Sequence, residues 1–120
     1  MRIALTATDN NSESMLDQRF GRAKYFIIFD TEKNEYSFVN NKQNLNAEQG
    51  AGIQSAQTVV QVDAEAVITG HTGPKAFNVL NMAGVKIYYS AALSVKDALQ
   101  QFRNGVLKQA TSSDVEGHWE

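Results

Sequence analysis

Between Ala64 and Tyr89 the hydrophobic period switches from strand to helix and back again, and no other stretch of the chain limits the fold so tightly. The run Ala64-Glu65-Ala66-Val67-Ile68-Thr69 is short and β-branched, as a buried strand requires. Pro74 suits the first position of a helix, where its missing N–H costs nothing. That helix, from Pro74 to Ala83, buries Phe77 and Leu80 and stops at Gly84, an apt residue for a left-handed cap. Val85-Lys86-Ile87-Tyr88-Tyr89 is then a strand once more. Alternating units of this kind join through right-handed crossovers, so an α/β sheet is predicted.

The remaining elements fall around this unit. Ile3 to Ala7 reads as a first strand, mostly apolar and therefore central. Thr8 to Gln18, with Asn10, Asn11, Ser12 and Ser14, is too polar to bury itself and is expected to be a loop with a short turn at Met15-Leu16. Lys24 to Asp30 contains the strand Tyr25-Phe26-Ile27-Ile28-Phe29, and Glu35 to Asn40 alternates as a third strand, joined to it through Thr31-Glu32-Lys33-Asn34. After an amide-rich loop, Gly50-Ala51-Gly52-Ile53 opens a helix. Its Ile53, Ala56 and Val60 recur at helical spacing, leaving Gln54, Ser55, Gln57 and Gln61 to face solvent. Ser94 and Asp97 form a capping-box-like pair for the last helix, whose apolar face is Val95, Ala98, Leu99 and Phe102 and which Gly105 ends. The expected organisation is a single domain over residues 1–110 and a polar, mobile tail over 111–120.

The order βββαβαβα fits a three-layer, ribonuclease H-like α/β fold. Its five-stranded mixed sheet has strand 2 antiparallel and strands 1, 3, 4 and 5 parallel, with helices on both faces. That direction gathers the motifs. The Asn/Ser loop, Arg19-Phe20-Gly21-Arg22, Gly50-Ala51-Gly52, Gly70-His71-Thr72-Gly73 and Ser90-Ala91-Ala92 all fall on the edge where the parallel strands end. Open α/β sheets usually bind ligands at such an edge.

Composition narrows the chemistry that edge can host. With 120 residues the chain can bury a core without staples, and with no cysteine it offers neither disulfides nor thiolate metal sites. A formal net charge of −2 gives no general attraction to nucleic acid or to anionic membranes, so any anion site must be local. No apolar run approaches the length of a membrane span, and a cytoplasmic location is the default expectation. His71 sits between two glycines at a strand-to-helix turn, where backbone N–H groups attract anions and a neutral imidazole can ligate a soft or borderline metal. The plainer alternative is an ordinary loop histidine flanked by glycines that serve backbone geometry alone.

Arg19-Phe20-Gly21-Arg22-Ala23 before the strand Tyr25 to Asp30, then Gly50-Ala51-Gly52-Ile53, then Gly70-x-x-Gly73-Pro74-x-Ala76-Phe77, resembles the dinitrogenase iron-molybdenum cofactor biosynthesis family. This is the family of NifX-like proteins and of the carboxy-terminal domain of NifB-like proteins. The similarity covers residues 1 to 105 and lies in the ordered set of motifs. It implies a domain that binds or carries an iron-sulfur or iron-molybdenum cofactor, or its precursor, between metallocluster donor and acceptor proteins.

For such a cargo, bulky and usually anionic, a carrier needs a few ligands, positive charge and an open rim. His71 is the candidate metal ligand, Arg19 and Arg22 the candidate charge neutralisers, and the N–H groups around Gly50, Gly52, Gly70, Thr72 and Gly73 the candidate cradle. His118 is a second nitrogen ligand only if the tail folds back. In the alternative reading the two arginines pair with Asp17 or Asp30 and fix the loop. Non-enzymatic binding or delivery leads the functional expectations. A regulatory module for a small anion or a protein is the first alternative, and a metal-dependent ribonuclease H-like hydrolase the second. The hydrolase needs close carboxylates, whereas Asp63 and Glu65 precede their strand at the opposite edge from Asp9.

Overall fold

The computed structural model describes residues 1–41 and 50–115. Its sheet is built from β1 (Arg2–Ala7), β2 (Tyr25–Asp30), β3 (Glu35–Asn40), β4 (Ala66–Thr69) and β5 (Lys86–Tyr89), in the spatial order β3-β2-β1-β4-β5. β2 is antiparallel to both β1 and β3, while β4 pairs in parallel with β1 and with β5. This is the ribonuclease H-like arrangement that the order of elements predicts. Three helices cover it: α1 (Ala51–Gln61), α2 (Pro74–Met82) and α3 (Val95–Arg103).

Period-two alternation divides the core into two layers. Ala4, Phe26, Ile28, Val67 and Ile87 pack against Ala56 and Val59 of α1 and Phe77 and Leu80 of α2. Ile3, Leu5, Ile27, Phe29 and Ile68 point the other way, onto Val95, Ala98 and Leu99 of α3. β1 is the central strand because both of its faces are apolar, and Ile3 through Ala7 are fully buried. α3 begins as its sequence predicts, with the Ser94 hydroxyl accepting from Asp97 N–H at 3.1 Å.

Two local expectations are corrected. The apolar face of α1 is not Ile53-Ala56-Val60 but Gly52-Ser55-Ala56-Val59; Val59 is fully buried and Val60 exposed. A small-residue face lets α1 sit close on the 3₁₀ turn Phe20–Arg22, and the Ser55 hydroxyl is satisfied inside. The second correction concerns Met15-Leu16, which is extended rather than a turn. Leu16 bridges to Ala7 and Met15 to Ser94, and Leu16 joins the α3 side of the core. Burying a leucine is worth roughly 1.5–3 kcal/mol, enough to draw a polar loop inward at that point.

Candidate functional site

The carboxyl ends of β1 and β4 are tied together by two buried threonines. Thr6 and Thr69 lie side by side with hydroxyls 2.9 Å apart, and Thr6 Oγ1 donates to the carbonyl of Asp17 at 2.7 Å. Asp17 N–H in turn donates to Thr6 O at 2.8 Å. Buried hydroxyls must find partners, and here the partner is the segment returning from the Asn/Ser loop. That segment is thus drawn across the ends of both strands.

It passes directly over the glycine turn. A Cβ on Gly70 would lie 2.6 Å from the Gln18 carbonyl oxygen and 2.7 Å from its Cα, so only glycine fits beneath this crossing. One residue further on, Arg19 and His71 form a parallel bridge, and Phe20 N–H donates to His71 O at 3.2 Å. Phe20 then plunges into the core, where its ring meets Phe26 at 5.6 Å between centroids. The 3₁₀ turn that starts there ends at Arg22 and packs on α1.

A second buried polar knot fastens α1 to the same edge. Asn41, just past β3, donates through Nδ2 to Ala23 O and to Ser55 Oγ, both at 2.9 Å, and Ser55 Oγ donates to Ala51 O at 2.8 Å. Gly50 is the N-cap of α1, and Gly52 is buried in its first turn. The 3₁₀ turn therefore connects the two glycine-rich segments, with Arg19 at the β4–α2 turn and Arg22 beside α1.

The third element was not anticipated. Beyond α3, Gly105 turns the chain with φ +74°, Gln109 bridges to Tyr88, and Ala110 N–H donates to Ile87 O at 2.7 Å. The chain then bends so that residues 112–115 lie on the β4–α2 turn. Asp114 Oδ1 accepts from Thr72 N–H at 2.9 Å, and Oδ2 lies 2.8 Å from His71 Nδ1. The N–H groups of Asp114 and Val115 both donate to Thr72 O, at 3.2 and 3.3 Å. Tyr89 donates its phenol proton to Ser112 O at 3.1 Å, so the 2.6 Å contact with Thr72 must be a bond donated by the threonine hydroxyl. Burial, reinforced by the Asp114 charge, pushes the Tyr89 phenol above its ordinary value.

All eight sequence-derived positions thus fall on one edge: Arg19, Arg22, Gly50, Gly52, Gly70, His71, Thr72 and Gly73. The pairing of Arg22 with Asp30 does not occur. Asp30 ends β2 at the opposite edge, where its carboxylate lies 3.9 Å from Arg2 Nε. Asp17 meets Arg19 through the backbone, accepting its N–H at 3.0 Å. The same opposite edge holds Glu65, whose N–H donates to Arg2 O. Residues 111–115, expected within the tail, have defined contacts, whereas His118 and Trp119 lie outside the described residues. Among the described residues no three His, Asp or Glu side chains cluster as metal ligands; the acidic group beside His71 is Asp114. Sequence reading missed Asp114, Tyr89, Asn41 and Ser55. Only Thr69-Gly70-His71-Thr72, with hydroxyls flanking a glycine turn, hinted at a need for polar partners.

Comparison with known proteins places this geometry in context. The model of the dinitrogenase iron-molybdenum cofactor family matches residues 1–105. The apo form of the orange protein of Desulfovibrio gigas superposes with a TM-score of 0.88 at 35% identity, covering 95% of this chain and 96% of that one. A NifB-like protein from Thermotoga, solved by NMR, gives a TM-score of 0.82 at 32% identity over 97% of this chain and 98% of its own. An uncharacterized protein of Methanocaldococcus jannaschii, MJ0580, is 31% identical over 114 residues, 91% of each chain. With the family model spanning both glycine-rich turns and all three helices, the chain belongs to the dinitrogenase iron-molybdenum cofactor family.

Proposed function

We propose that this protein is a non-enzymatic carrier that binds an iron-sulfur or iron-molybdenum cofactor, or its precursor, at the carboxyl edge of its sheet and passes it between metallocluster donor and acceptor proteins. The observation that carries the reading is the bridge between Arg19 and His71, which puts a guanidinium-bearing residue and an imidazole-bearing residue at one turn. Family membership and the similarity to the orange protein and to the NifB-like protein support it. His71 supplies one metal bond, Arg19 and Arg22 neutralise an anionic cluster, and the glycine turns let its sulfide edges approach the backbone. One nitrogen ligand and no thiolates make a weak hold, which suits a protein that must release its cargo.

Anaerobic titration with isolated nitrogenase cofactor, or its precursor, tests this directly. Saturable binding to the intact protein is expected, with a loss of at least tenfold in affinity when His71→Ala and Arg22→Ala are combined. No binding by the intact protein, or equal binding by the double variant, rejects the site. Native mass spectrometry of protein purified anaerobically separates the readings by composition. Retained iron and sulfide support the carrier, while a retained phosphate or carboxylate points to a regulatory module for small anions.

A further inference from the structure

We infer that Asp114 is a positioning residue for His71, fixing the imidazole as the Nδ1–H tautomer so that Nε2 carries the lone pair presented to a metal-bearing cargo. The inference rests on the carrier reading above and names the group that makes a single histidine a competent ligand. Its basis is the bidentate use of one carboxylate. Oδ1 accepts the Thr72 N–H at 2.9 Å and Oδ2 lies 2.8 Å from His71 Nδ1. An ionised carboxylate only accepts hydrogen bonds, so the short contact to Nδ1 requires the proton to sit on that nitrogen. In the neutral ring the other nitrogen then bears the lone pair.

The position of the carboxylate is set independently of His71. Asp114 and Val115 are both held by their own N–H groups on Thr72 O, and Ser112 is held through its carbonyl by Tyr89. Thr72, whose hydroxyl bonds the same phenol, is buried. The carboxylate therefore arrives at the imidazole on a backbone already fastened to the turn, the arrangement by which outer groups orient metal-ligating histidines and strengthen them as donors. Asp114 lies beyond residues 1–105, so the matched family region does not include this contact. The same geometry allows a rival role, in which the carboxylate occupies the turn and the cargo must displace it.

The Asp114→Asn variant separates the two. Its carbonyl oxygen keeps the Thr72 N–H bond, which turns the amide NH₂ toward His71 Nδ1 and so demands the opposite tautomer. Imidazole ¹⁵N NMR of the cargo-free protein near pH 8.5, about two units above the ordinary histidine value, should show a protonated Nδ1 in the native chain and a protonated Nε2 in the variant. Anaerobic titration with isolated nitrogenase cofactor should show affinity falling about 10–100-fold in Asp114→Asn and also in Asp114→Ala. A native His71 protonated on Nε2, a tautomer indifferent to Asp114→Asn, or unchanged affinity in both variants overturns the positioning role. Tighter binding in Asp114→Ala overturns it in favour of displacement. A native protein that binds no cofactor sinks the carrier reading instead, and the tautomer measurement, made without cargo, keeps the two failures apart.

Discussion

The two edges of the sheet carry polar groups in opposite ways. At the carboxyl edge the bonds join residues separated in sequence, and two of them, Thr6 with Thr69 and Asn41 with Ser55, are buried, while Thr72 with Asp114 is half-buried. At the other edge they are exposed and carried by charge, as in Arg2 with Asp30 at 3.9 Å and the amino terminus with Glu32 at 3.8 Å. That second edge nonetheless holds a cleft of about 300 Å³, lined by Arg2, Asp30, Lys33, Tyr36 and Val62. Room for a ligand and fixed polar geometry are therefore different properties. Exposed ion pairs contribute little and rearrange freely, whereas buried polar groups fix geometry because each lost partner is costly. Among the described residues, Gln18 Nε2 and Asn41 Oδ1 are buried at the carboxyl edge without a hydrogen-bond partner.

If the carboxyl edge is the one held by fit, its glycine crossing should be the most sensitive point of the molecule. Gly70→Ala places a methyl group 2.6 Å from the Gln18 carbonyl oxygen, and the obstacle is backbone rather than a flexible side-chain tip alone. A loss of about 1–3 kcal/mol is expected, the usual range for overpacking, read as a lowered urea midpoint with an unchanged slope. Gly84→Ala is the control, with open space around the new methyl group and only the φ of +78° to oppose it. A loss at Gly70 no larger than the conformational cost at Gly84 would show that the Gln18 segment shifts to accommodate the methyl group and that the crossing is not held by fit.

The next effect tests whether the buried knots are separate supports. Ser55→Ala removes an acceptor from Asn41 Nδ2 while leaving its bond to Ala23 O in place. Stability should fall by about 1–2 kcal/mol, the cost of a buried donor left without one of its partners. A neutral effect would mean that water or a shift of Asn41 replaces the hydroxyl, and the contrast between the edges would weaken accordingly.

Much of the fold was legible because the period of the sequence and the direction of the strands are linked. Strand-like runs beginning at Ile3, Tyr25, Glu35, Ala64 and Val85 located the five strands, the last two starting one or two residues before β4 and β5, and Pro74 with Gly84 bracketed α2 where the structure has it. The phase of α1 was misread because Val59 and Val60 are adjacent and equally apolar, so only the small residues 52 and 55 distinguish the buried side. Gathering the eight candidate positions followed from topology alone. Asp114 was illegible for the opposite reason. It lies in a polar segment with no periodicity, and its role depends on a hydrogen bond to a residue 42 positions away. Local pattern reports which face is apolar; it carries no record of which distant N–H a carboxylate will meet.

The smallest expected effect lies at the opposite edge and has a pH signature that the carboxyl-edge knot around Ser55 cannot share. Asp30 is held below the ordinary carboxylate range chiefly by the N–H of Lys33, helped by that of Glu32 and the nearby Lys33 charge, against a weaker desolvation that raises it. A carboxyl whose folded value is depressed adds stability that is whole above its unfolded value, about 3.9, and disappears as pH falls through the folded one. Asp30→Asn keeps an oxygen that can accept from Glu32 and Lys33 N–H at the hairpin turn but cannot titrate. The native chain should therefore exceed the variant slightly at pH 7, and the gap should close below about pH 4, measured as urea midpoints across that range. The Ser55→Ala deficit involves no titrating group and should stay level over the same interval. If both gaps close together in acid, the two sites lose stability by a common electrostatic route; if only the Asp30 gap closes, charge maintains the Asp30 turn and neutral buried bonds the Ser55 knot.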